Sequence, residues 1–130
     1  MYMLEKDVKL SANFCVSEFA CKGGGGRVLF DMELVRRLQG LRDYFKRPIV
    51  ITSGYRTRSY NDMVGGAENS QHIYGRAADI KVVGIGSDKI AAAAIRLGFR
   101  GVGIYENFVH VDVRKSLVNR LGRAYDIWRA

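Results

Sequence analysis

The chain contains two histidines, His72 and His110, and each lies near a carboxylate. His72 is followed by Gly75 and then by Asp79, and His110 by Asp112. Gly75 breaks any helix in this stretch, which puts His72 on a loop and Asp79 inside the strand that follows. A loop histidine and a strand carboxylate can converge on one point. Asp79 stands between Ala78 and Ile80, in a run expected to be buried. A buried carboxylate without a cation is costly, and a metal would resolve that cost. Two neutral imidazoles and one carboxylate form a zinc site with an open fourth position. Hydrolysis needs that open position, where the metal acidifies a water and polarises a carbonyl. The competing reading of the same residues is two core histidines and a salt-bridged aspartate.

The elements that must position these side chains are legible around them. Asp31 caps a helix over residues 32–45, with Leu34, Val35, Leu38, Leu41 and Phe45 at helical spacing and Lys46, Arg47 and Pro48 ending it. Pro48 to Thr52 reads as a short β-branched strand. Ser59 is placed to cap a short helix through Val64, stopped by Gly65 and Gly66. Ala77 to Val83 is a second strand. Ser87 caps a second long helix from Asp88 to Leu97, with Gly98 past its end. A hairpin then joins Val102–Tyr105 to Phe108–Val113 through the two-residue turn Glu106-Asn107. Val109, Val111 and Val113 point to the core, and Phe108, His110, Asp112 and Arg114 to the other, exposed face.

At 130 residues the chain is long enough for one domain, expected over 1–130, and too short for two ordinary ones. Apolar residues at 48% and charged residues at 26% are globular proportions. No stretch is long and apolar enough for a membrane span, and Met1 to Asp7 lacks the apolar core of an export signal. The net charge of +8 favours polyanions: nucleic acid, anionic lipid or an anionic cell wall. Cys15 and Cys21 lack zinc-knuckle spacing and read as reduced thiols of a cytosolic context. Gly23 to Gly26 is a flexible loop.

Several segments together resemble the peptidase M15 family of zinc D-Ala-D-Ala carboxypeptidases and peptidoglycan endopeptidases, phage endolysins included. They are Ser53-Gly54-Tyr55-Arg56, Asn61, Gly65-Gly66-Ala67, Ser70-x-His72-x-x-Gly75-x-Ala77-x-Asp79 and Phe108-Val109-His110-Val111-Asp112-Val113-Arg114. Leu10-Ser11-x-Asn13-Phe14 and Ser17-Glu18-Phe19-Ala20-Cys21 are similar to the small branch of that family. The resemblance implies an α+β fold of the Hedgehog/D,D-peptidase type, a small antiparallel sheet carrying the zinc site with helices packed behind it. It implies His72, Asp79 and His110 as zinc ligands. It also implies Arg56 as the arginine that stabilises a developing oxyanion or a substrate carboxylate, and Ser70 as a substrate contact. Asn61 and Tyr105 are expected to line the pocket.

A zinc hydrolase needs a proton acceptor. Relatives often carry a glutamate three residues before the last histidine, where this chain has Asn107. Asp112 shares a strand face with His110, about 7 Å away, and is the expected acceptor. Glu106 at the hairpin turn is the alternative, and the other role open to Asp112 is to orient a ligand histidine. The expected function is thus a zinc-dependent peptidoglycan peptidase acting on wall stem or crosslink peptides as a monomer. It would be made in the cytoplasm without a signal peptide and released to the wall by a holin-type partner. The alternatives are an intracellular dipeptidase, a non-catalytic zinc-stabilised wall-binding domain, and a nucleic-acid binder. Charge alone motivates the last, and the chain carries no nucleic-acid-binding motif.

Overall fold

The computed structural model describes the backbone of residues 2–3 and the whole of residues 7–115 and 125–130. Residues 116–124, which the expected 1–130 unit includes, lie outside the described residues. The first elements are strand β1 (Tyr2–Met3), paired antiparallel with β2 (Arg27–Val28). Helix α1 (Met32–Phe45) follows, capped by Asp31, whose side chain accepts from the Glu33 amide. It ends at Lys46, the one described non-glycine residue with positive φ. Then come β3 (Ile49–Ser53), a short helix α2 (Arg58–Met63), a 3-10 turn at Gln71–Tyr74 and β4 (Ala77–Val82). Helix α3 (Ser87–Arg96), β5 (Gly101–Ile104), β6 (Val109–Asp112) and β7 (Asp126–Arg129) complete the order.

The second sheet has five strands in the order β3-β4-β6-β5-β7. It is antiparallel through its first four strands, as expected, and only β7 joins in parallel, against β5. One sheet face carries Ala78, Ile80, Val102, Val109 and Val111, all buried in a single core with Leu34, Val35, Leu38 and Leu41 of α1 and Ile90, Ala91, Ala93 and Ala94 of α3. The architecture is α+β, with the helices packed behind the sheet. Burying a Leu, Ile, Val or Phe side chain contributes about 1.5–3 kcal/mol each, so this face holds the strands in register.

Three local expectations are corrected. Thr57, not Ser59, caps α2, because its hydroxyl accepts from the Tyr60 amide. Gly86 precedes α3, with Ser87 as the first helical residue. His72 sits in the 3-10 turn rather than in open loop. The strand β7 was not anticipated.

Candidate active site

The strand register lays the site out as rows on the face opposite the core. Ser53 pairs with Asp79, Asp79 with His110, His110 with Gly103 and Gly103 with Trp128. The neighbouring row runs Ala77, Asp112, Gly101 and Asp126. His72 reaches the first row from the 3-10 turn. Ser70 starts that turn by accepting from the His72 amide at 3.2 Å. Gly75 ends it with φ +68°, where a Cβ would meet the Leu29 backbone at 2.6 Å. Only glycine fits both constraints, so the turn between His72 and Asp79 depends on it.

Three ligand-type atoms converge. His72 Nε2 lies 3.2 Å from Asp79 Oδ1, and His110 Nδ1 lies 3.1 Å from the same oxygen. The other ring nitrogens are engaged elsewhere. His72 Nδ1 is 2.7 Å from the Gly54 carbonyl oxygen, and His110 Nε2 is 2.8 Å from Asp112 Oδ2. Both of those partners accept only, so each of these nitrogens carries its proton outward. In the neutral rings, the lone pairs of His72 Nε2 and His110 Nδ1 then face the Asp79 oxygen, three acceptors with no donor among them. Such a set is completed by a cation: either added protons or a metal ion. Two imidazole nitrogens and one carboxylate oxygen suit zinc, and the carboxylate and carbonyl behind them are the outer partners that zinc-ligating histidines use. All three residues lie within reach of one ion.

The electrostatics fit. Burial alone would raise the Asp79 carboxyl, but hydrogen bonds and charge from His110 and His72 outweigh it and hold it below the usual carboxylate range. Burial would lower His110, yet Asp112 and Asp79 raise it above its ordinary value.

Arg56 lines the cleft and is spoken for on every arm. Its Nε donates to Ser53 Oγ at 3.1 Å, Nη1 to Asn61 Oδ1 at 3.2 Å and Nη2 to Asp79 Oδ2 at 3.3 Å. Asn61 is not a pocket-lining residue. It is fully buried, and its amide also donates to the Ala67 carbonyl at 2.8 Å, so it ties Arg56 to the Gly65-Gly66-Ala67 loop. Ser70 and Tyr105 do line the cleft of about 470 Å³, with His72, Asp79, His110, Phe108, Arg114 and Trp128.

The structure places the expected proton acceptor away from the cleft lining. Asp112 does not face solvent and does not line the cleft; it is fully buried. Its Oδ1 accepts from the Arg114 amide and Nε at 3.1 and 2.8 Å, and its Oδ2 from Arg114 Nη2 and His110 Nε2 at 2.7 and 2.8 Å. With every acceptor direction used and the whole imidazole between it and the convergence point, it fits the orienting role. Burial would raise this carboxyl, and Arg114 and His110 more than reverse that. Glu106 is exposed at the turn and borders a different cavity. Trp128 was missed altogether: a lone aromatic in a four-residue strand carries no local pattern.

Residues 12–112 match the peptidase M15 family, and the chain belongs to it. It is 38% identical over 91 residues to the peptidoglycan L,D-endopeptidase MepK of Escherichia coli, which covers 65% of this chain and 48% of that protein. It is 31% identical over 114 residues to the zinc D-Ala-D-Ala carboxypeptidase of Streptomyces albus G, covering 76% of this chain and 43% of that one. The chain thus spans about half or less of the length of these relatives. The described helices include none long and apolar enough to cross a membrane.

Proposed function

We propose that this protein is a zinc-dependent peptidase acting on the peptides of bacterial peptidoglycan, with His72, Asp79 and His110 as the metal ligands. The observation that carries the reading is the convergence of three acceptor atoms whose histidine tautomers are set by Gly54 and Asp112. A zinc ion held there supplies Lewis acidity, polarising the scissile carbonyl and lowering the pKa of a water. The chain's own residues prepare that chemistry. Arg56 turns Asp79 so that Oδ1 meets the histidines, and it places a fixed positive charge beside the developing oxyanion. Asp112 orients His110 and keeps its proton on the far nitrogen. Ser70 and Tyr105 border the space left for the substrate.

Both cations among the described cleft residues are matched by acids: Arg56 by Asp79, and Arg114 by Asp112 and Asp126. The relative at 38% identity is an L,D-endopeptidase and the one at 31% a carboxypeptidase, so we favour endopeptidase cleavage. The net charge of +8 suits adsorption to an anionic wall, in keeping with a wall-lysis role. The test is digestion of purified peptidoglycan with and without a chelator, with mass analysis of the products. Internal stem or crosslink cleavage that a chelator abolishes is expected. Release of terminal D-alanine alone would move the activity to the carboxypeptidase type, and digestion indifferent to chelation would remove the metal.

A further inference from the structure

The strand β7 lies outside the residues that match the family, yet it closes the row on which the candidate metal ligands stand. Trp128 pairs with Gly103 across the sheet, and Gly103 pairs with His110. A Cβ on Gly103 would lie 2.5 Å from Trp128 Cε2, so the glycine makes the seat for the indole. The indole ring lies 5.1 Å from the His110 ring, centroid to centroid, at 45°. Its Nε1 donates to the Tyr105 hydroxyl at 3.3 Å, and the Arg114 guanidinium sits 5.5 Å from its ring centre. One row away, Asp126 accepts from Arg114 Nη1 at 3.1 Å, and Arg114 in turn holds Asp112. Asp79 and Asp112 hold the His110 ring at its two nitrogens, Nε2 donating to Asp112 Oδ2 and Nδ1 facing the convergence point 3.1 Å from Asp79 Oδ1. They leave its tilt about the line joining them to be set by packing, and Trp128 is the large ring against it on the β5 side.

We propose that Trp128 is a positioning residue of the metal site: seated on Gly103, its indole sets the tilt of the His110 imidazole and walls the cleft. This rests on the reading that His72, Asp79 and His110 hold a metal. The C-terminal strand is then part of the active site rather than an edge added to the sheet. With Tyr105 and Phe108, whose rings stack at 4.4 Å, Trp128 gives aromatic surface to a cleft that Asn69, Ser70 and Gln71 also line.

Trp128 is the single tryptophan of the chain, so its emission reports on the site without any substitution. Metal-free protein is titrated with cobalt, whose visible absorption shows binding while tryptophan emission is followed. Emission is expected to fall in step with the cobalt band, reach its floor at one equivalent and recover on displacement by zinc. Zinc affinity is then measured by competition with a chromogenic chelator. Trp128→Ala is expected to lose about ten- to a hundredfold, the range of outer partners of metal ligands. Trp128→Phe, which keeps a flat ring, is expected to stay within about threefold, and Ile127→Ala, one residue along the strand, to match the wild type. If Trp128→Ala does not fold, Trp128→Leu replaces it against Trp128→Phe. Cobalt bound with emission unmoved, or a folded ring-deleted variant that binds zinc like the wild type, overturns the positioning role alone. No cobalt band at all overturns the metal reading and this role with it.

Discussion

Asp112→Asn tests the reassigned role of this carboxylate most directly. The amide keeps one acceptor, which stays with the Arg114 amide and Nε. Its NH2 group then faces two donors, Arg114 Nη2 and His110 Nε2, that Asp112 Oδ2 now accepts at 2.7 and 2.8 Å. His110 can relieve its clash only by moving its proton to Nδ1, the atom 3.1 Å from Asp79 Oδ1. That tautomer has no lone pair on Nδ1 for a metal, so ligation there requires the proton to return to Nε2 against the amide. Arg114, with a side chain 22% exposed, loses one of its charged partners. A hydrogen bond to a charged group is worth about 1.5–3 kcal/mol; with two weakened and the arginine partly solvated, the expected loss of stability is about 2–3 kcal/mol. Zinc affinity should fall about ten- to a hundredfold. Urea unfolding of the metal-free protein measures the first quantity and chelator competition the second. A variant that binds zinc like the wild type but no longer hydrolyses substrate would refute the orienting role and restore Asp112 as the proton acceptor.

Other outcomes follow from the same contacts. Asn61→Ala leaves the Arg56 guanidinium and the Ala67 carbonyl each short of a partner, and should cost about 1–3 kcal/mol in urea unfolding. Arg56→Lys keeps a charge but not three directed donors, and turnover should fall about tenfold to a thousandfold, the scale of one lost oxyanion donor; unchanged kinetics would remove Arg56 from the site. In metal-free protein, His110 is raised above 6.5, so its stabilisation is complete below that value and is lost as pH rises through the folded-state pKa. The melting temperature of metal-free protein should therefore fall as pH is raised from about 6 to about 9, whereas zinc-loaded protein, whose ligands must be deprotonated, should gain affinity over the same range. Glu106→Gln should leave turnover unchanged, because Glu106 borders a different cavity.

How much of this was legible beforehand depended on whether the cause was local. Helix α1 could be read from Asp31 and the spacing of Leu34, Leu38 and Leu41, because capping and a 3.6-residue stripe are properties of adjacent residues. The alternation that turns Val109 and Val111 to the core and His110 and Asp112 away from it is likewise built into the strand. The pairing of His72 with Asp79 through a turn at Gly75 needed only the chain's own stiffness. Where those side chains end up was decided by the tertiary structure. Alternation set the face of Asp112, but β5 and Arg114 decided whether that face meets water, and they bury it completely. Asn61 was a candidate pocket residue until the fold brought Arg56 and the Ala67 loop around it. Trp128 entered the site only because a strand far along the chain lies parallel to β5 at the one register that sets it over Gly103. A contact between residues distant in sequence follows from register and packing, and neither is a property of any one segment.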